Sequence, residues 1–373
     1  MNNLRLFLVG LIACILAAAC SSSSKKPQQP KPQDVPVPQL ESINIRAGPF
    51  SDQKLISVKP LTSVGENSEA YFSPDSKKIL YHSRNRPEHI QTQIYEINLT
   101  NMRERRISYH DGEDANAVYT PDPNYFIYSS TTDEIKEGDE AISSVMKTYA
   151  PNLVKKHPQQ NGLDFRPYEI YLSKTDGSQI TRLTKSPGYD GEASINAKGT
   201  KIVFVSTRGG HADLYLMPFS TTNLTTNSAA IRRLTNDIQY DSNPIFVPQT
   251  DQILWIKYSE DLKTSQIMLG DQLAQNAHSL TGKAAMYWTP FFHPSGKEFV
   301  FSSNRGDGTH FNLYVLDLVG LCLKRLTENA NDEFLPAFSP DGKKLLFTSN
   351  LNGKNQIYLM DYIPPHACLD ELP

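Results

Sequence analysis

Apolar positions along this chain gather in short blocks instead of forming a helical stripe. One block reads LPAFSPDGKKLLFTS, residues 335–349: a mixed segment, a Pro-Asp-Gly turn, then an almost wholly apolar segment. Loose alternation predicts a half-buried strand, and an unbroken apolar run predicts a strand covered on both faces. The turn joins them as a hairpin, because Pro presets φ, Asp bonds the backbone that follows and Gly accepts a positive φ.

The same pattern recurs as EAYFSPDSKKILYHS (69–83), NAVYTPDPNYFIYSS (116–130), EASINAKGTKIVFVS (192–206), NPIFVPQTDQILWIK (243–257) and TPFFHPSGKEFVFSS (289–303), giving six copies. A third strand follows each, starting at Gln93, Glu169, Asp213, Gln266, Asn312 and Gln356. Five copies end in a basic-apolar-hydroxyl fourth strand, as RRIS (105–108), TRLT (181–184), RRLT (232–235), HSLT (278–281) and KRLT (324–327). The sixth has none, but KPLT (59–62) stands ahead of the first repeat. Four-stranded units with turn prolines 46 residues apart, at Pro248, Pro294 and Pro340, predict an all-β fold: a six-bladed β-propeller closed by its own N-terminal strand. A many-stranded sandwich leaves the displaced KPLT unexplained. Blade 2 carries a helical and loop insertion at 131–168, with Ile142, Val145, Met146 and Tyr149 on one side of the helix.

The N-terminus reads differently. Arg5 precedes an apolar run at 6–19, a secretory signal pattern, and AAAC at 17–20 resembles a bacterial lipobox with Cys20 as the lipidated residue. LIAC at 11–14 also fits but leaves a very short signal; plain secretion with cleavage near Ala19 is the alternative. Ser21 after the cysteine resembles the outer-membrane sorting pattern. Residues 20–45, with prolines at 27, 30, 32, 36 and 38, read as a semi-extended tether, 46–363 as the propeller and 364–373 as a tail. In an exported chain Cys322 and Cys368 are expected to pair, pinning the tail; closing a 46-residue loop is worth about 4 kcal/mol in the chain-entropy picture. Reactive thiols are the other reading. A net charge of −3 with no concentrated basic face excludes a nucleic-acid binder.

Hydrolase elbows, zinc-protease, P-loop and dinucleotide motifs are missing, so no catalytic residue, cofactor or metal is expected. His82 and His293 fall in structural places, and Arg305-Gly306-Asp307 sits in a loop. The distinctive polar set lies at the start of the innermost strands: Asn67 and Glu69, Asp114 and Asn116, Asp190 and Glu192, Asp241 and Asn243, Tyr287 and Thr289, and Glu333. Matching positions in successive blades converge on the central channel, giving an acidic, amide-rich mouth for a peptide, a basic side chain or a cation. Capping and hydration of the inner strands is the structural alternative.

The SPDGKK hairpin, the IYLMD-type third strand and the RRLT ending together resemble the PD40 repeats of the TolB family, over roughly residues 54–362. The resemblance implies a periplasmic, membrane-anchored, non-enzymatic binding propeller that contacts an envelope protein, a Tol component or a Pal-like partner. The family's N-terminal α/β domain, implicated in contacting TolA, is replaced here by the tether. Similar repeats occur in prolyl-oligopeptidase-like peptidases, so a propeller hydrolase or lyase acting on envelope polymers is the competing class. A carbohydrate-binding module finds little support beyond Tyr287 and Trp288.

Overall fold

Each repeat forms one antiparallel sheet, and the six sheets succeed one another along the chain as the blades of a propeller. In the computed structural model the described residues are 33–48, 55–135, 166–221, 230–365, 368 and 370–371. They belong to one unit, Pro32–Pro373. Blade 3 shows the plan: an inner strand Asp190–Ile195, a second strand Lys201–Ser206, a third Asp213–Pro218 and an outer Arg232–Arg233. Inner strands of the other blades are Glu66–Phe72, Asp114–Tyr119, Asp241–Phe246, Tyr287–Phe292 and Glu333–Phe338.

The second strands are apolar because neighbouring blades cover both of their faces. Tyr81, Ile127, Phe204, Ile256, Phe301 and Leu346 are wholly or almost wholly removed from solvent, each contributing roughly 1.5–3 kcal/mol of hydrophobic stabilisation. At the hairpin turns the expected chemistry is present. Ser339 Oγ donates to Asp341 Oδ1 at 2.6 Å, Lys343 N–H donates to the same oxygen at 3.1 Å, and Gly342 takes φ +71°.

The ring closes as the displaced KPLT implies. Leu55–Pro60 pairs antiparallel with the third strand of blade 6, Gln356–Asp361, in the register Tyr358↔Pro60 and Met360↔Val58. The hydroxyl of the signature repeats one hydrogen bond around the whole ring. Ser108, Thr184, Thr235, Thr281 and Thr327 each accept the N–H of a third-strand residue at 2.8–3.0 Å, and Thr62 of KPLT does the same for Ile357 at 2.9 Å. Four signature arginines donate Nε to the carbonyl two residues ahead, as Arg233 does to Thr235 at 2.9 Å.

Extra strands appear where tether and tail were expected. Ile43–Arg46 pairs with Leu55–Pro60 as a fifth strand of blade 6, and Val35–Pro36 lies on the outer edge of blade 1 against Arg103–Arg106. The ordered fold therefore reaches into 20–45. A proline-rich composition forbids helix and central strands, yet an outer edge tolerates a missing N–H. Asp370–Glu371 likewise joins Cys322–Arg325, the outer strand of blade 5, and Cys322 and Cys368 form a disulfide with Cα atoms 5.3 Å apart. Of the insertion, a helical turn at Thr132–Ile135 is described. Residues 136–165, with Ile142, Val145, Met146 and Tyr149, lie outside the described residues, as do the signal segment and Cys20.

Candidate functional site: the central channel

Every inner strand is interrupted by a β-bulge at the same place. The register shifts fall between Ser68 and Tyr71, Ala115 and Val118, Gly191 and Ser194, Ser242 and Ile245, Trp288 and Phe291, and Phe334 and Ala337. The first bulged residue of each has a left-handed backbone: Glu69, Asn116, Glu192, Asn243, Thr289 and Leu335, with φ between 47° and 59°. A bulge re-aims the side chain it carries. Here it turns all six into the channel.

The predicted eleven residues thus divide. Glu69, Asn116, Glu192, Asn243 and Thr289 form a waist shared by an upper chamber of about 260 Å³ and a lower one of about 70 Å³. The others, Asn67, Asp114, Asp190, Asp241, Tyr287 and Glu333, are buried and serve the joints between strands and blades. Asn67 Nδ2 donates to Gln356 at 2.8 Å, Asp114 meets His110 Nδ1 at 3.0 Å, and Asp190 pairs with Arg208 at 2.6 Å. Asp241 accepts from Trp255 Nε1 at 2.9 Å, Glu333 accepts from Thr327 and Asn329, and the N–H of Tyr287 donates to Ser265 Oγ at 2.7 Å. Desolvation pushes the Asp241 carboxyl up to about 7 and that of Glu333 up to about 8. Burial also raises Asp190, with the neighbouring Glu169 adding to it.

Leu335 is the waist residue that a search for polar groups passes over. Its signal was a dipeptide: the bulge residue is followed by Ala or Pro in every copy, as EA, NA, EA, NP, TP and LP.

Waist side chains also tie blades together. Asn116 Nδ2 donates to both oxygens of Glu69 at 2.9 and 2.8 Å, and Glu192 Oε2 accepts from Ser242 Oγ at 2.7 Å and Asn243 N–H at 2.6 Å. Leu335 N–H donates to Thr289 Oγ1 at 3.2 Å. His82 Nδ1 lies 3.3 Å from Glu69, while Ser68 Oγ is 2.6 Å from its other nitrogen. Burial, reinforced by repulsion from Glu69, raises the Glu192 carboxyl above its ordinary range. Above the waist stand Trp288, Tyr168 and Tyr189, with Arg84 and Arg166 tied to Glu66 and Glu113. Below it the rings of Tyr71 and Phe291 stack with centroids 5.9 Å apart, among Val118, Ile245 and prolines. The channel is therefore mixed in polarity above and mainly apolar below. Among the described residues no group of three or more His, Cys, Asp or Glu could hold a metal ion.

Residues 233–364 match the family of the TolB beta propeller domain, PD40. That segment of the propeller carries the PD40 pattern. The fold of the chain is similar to that of a putative TolB from Agrobacterium tumefaciens, with a TM-score of 0.54 and 17% identity over 87% of this chain and 98% of that one. TolB from Acinetobacter baumannii gives 0.53 and 16%, covering 81% of this chain and 65% of its own. An oligogalacturonate lyase from Vibrio parahaemolyticus also gives 0.53, with 14% identity, 89% and 98%. At these identities the likeness is one of fold, which this propeller shares with two TolB structures and with a lyase. No curated protein sequence matches the chain.

Proposed function

We propose that this PD40 propeller is a non-enzymatic binding protein of the bacterial envelope, held by a lipid on Cys20 at the periplasmic face of the outer membrane. It takes a segment of a partner protein, a Tol component or a Pal-like protein, at the upper mouth of its channel. The observation that carries the reading is the waist. One bulged residue per blade is aimed inward, and five of the six are polar, fixed by hydrogen bonds between blades before any ligand arrives. Such preorganisation lowers the entropic cost of recognition. The TolB-like repeats and the similarity to two TolB structures support a propeller scaffold.

A photo-crosslinking residue placed at Trp288, in the upper chamber, is expected to yield an adduct with an envelope protein. The same residue at Ser295, in the exposed turn at the far end of that strand, is expected to yield none. Equal adducts, or none from either site, would overturn the proposal. The fold shared with an oligogalacturonate lyase keeps one rival in view. Turnover of polygalacturonate or envelope glycans by the purified protein, lost in Glu69→Gln/Glu192→Gln, would establish the enzyme instead.

A further inference from the structure

The waist is short of positive charge and of donors. Among the described residues Glu192 is served by neutral groups: Ser242 Oγ, Asn243 N–H and the Tyr189 hydroxyl at 3.3 Å. Among the described residues no Lys, Arg or His makes an ion pair with it. On the Glu69 side the basic group paired with it among the described residues is His82. At the same level the Oδ1 of Asn243 is buried and accepts no hydrogen bond. Two donors at this level are already committed, Asn116 Nδ2 to Glu69 and Asn243 N–H to Glu192. Among the described residues, what the waist lacks is a group that brings N–H donors together with a positive charge. An anion or a carbonyl would supply neither.

The walls narrow the choice among cations. The upper chamber, about 260 Å³ against the ~10–15 Å³ one water needs, has room for a whole side chain. One wall is the half-buried indole of Trp288, stacked on Phe334 with centroids 6.0 Å apart. An indole face suits a methylene stem ending in a cation. Beneath the waist the Tyr71 and Phe291 pair narrows the passage with apolar surface, which favours neither a hydrated ion nor further travel of a charged head.

We propose that the waist is a receptor for one primary ammonium, the side chain of a lysine entering from the upper mouth, its stem along Trp288 and its head between Glu69, Glu192 and the Oδ1 of Asn243. This rests on the binding reading above and specifies what the partner inserts. Three N–H donors of an ammonium have three acceptors to meet.

The test uses the intact protein and the tripeptide acetyl-Gly-Lys-Gly-amide. Trp255 is buried, so acrylamide quenching of tryptophan fluorescence reports Trp288. The lysine peptide is expected to protect Trp288 saturably and about tenfold or more tighter than the norleucine analogue, the scale of one charge-assisted hydrogen-bond set. Glu192→Gln, which keeps the acceptor for Ser242 and Asn243, is expected to remove that preference. Equal affinity for lysine and norleucine peptides, no protection at millimolar peptide, or displacement by millimolar calcium or magnesium chloride would overturn the proposal. The peptide comparison needs no variant, so it stands even where Glu192→Gln misfolds. If the lysine peptide fails while the Trp288 crosslink still captures its partner, only the lysine assignment falls.

Discussion

Leu335 sits in a left-handed backbone at φ 54° beside a polar ring, a conformation that asparagine adopts more readily than leucine. Replacement by Asn is expected to raise thermal stability by about 0.5–1 kcal/mol through relief of that strain; a lowered melting temperature would show that the leucine's packing outweighs it. Glu333 presents the opposite situation, a group whose ordinary form in the fold is the protonated one. Its native carboxyl holds a proton up to about pH 8, whereas an unfolded glutamate releases it near 4.5. Between those values the native state binds more protons, so stability falls as pH rises. Urea midpoints of the wild type are expected to decline from pH 5.5 to 8.5, by on the order of a few kcal/mol in stability, and those of Glu333→Gln to stay flatter. At this scale the sequence was half legible. Matching positions located Glu69 and Glu192 at the channel, but placed Asn67 and Asp190 there too. Only a bulge separates a side chain that faces the pore from one two residues earlier that braces a joint.

Among the elements, the hairpin and the closing strand are where composition and structure agree most fully, because each depends on local chemistry. Two glycines measure how much of the turn is backbone and how much is context. Gly296 and Gly342 share φ near +70°, but a Cβ at Gly296 would meet nothing nearer than 3.6 Å, whereas at Gly342 it would overlap the His293 imidazole of the neighbouring blade. Gly296→Ala is expected to cost about 1 kcal/mol, and Gly342→Ala clearly more, by chemical denaturation. For the closing strand, Val58 is fully buried against blade 6, so Val58→Ala is expected to cost about 1.5–3 kcal/mol. An unchanged denaturation midpoint would mean that the ring does not depend on its N-terminal seam. The fifth strands were not legible. Val35–Pro36 and Asp370–Glu371 are two-residue edges whose pairing is set by tertiary proximity, and no local propensity announces them.

Across the whole molecule, the added strands fall on one arc. Blades 5, 6 and 1 carry five strands each, while blades 2, 3 and 4 end in the two-residue strands Thr181–Arg182, Arg232–Arg233 and His278–Ser279. The disulfide fastens the tail to the same arc. Replacing Cys322 and Cys368 with serine is expected to cost about 2–4 kcal/mol and to open the tail to proteases before the blades. Retained protease resistance would show that Asp370–Glu371 holds without the bond. Hydrogen exchange is expected to run fastest at the bare rims of blades 2 to 4.

The route of the N-terminal segment also determines how the wheel bears a load. Traction applied ahead of Val35 meets a two-residue pairing on blade 1 first, then Ile43–Arg46, and only afterwards Leu55–Pro60, the clasp of the ring. Slack is released in stages from the outside inward. Modest tugging on the leash therefore lengthens it while the wheel itself stays shut.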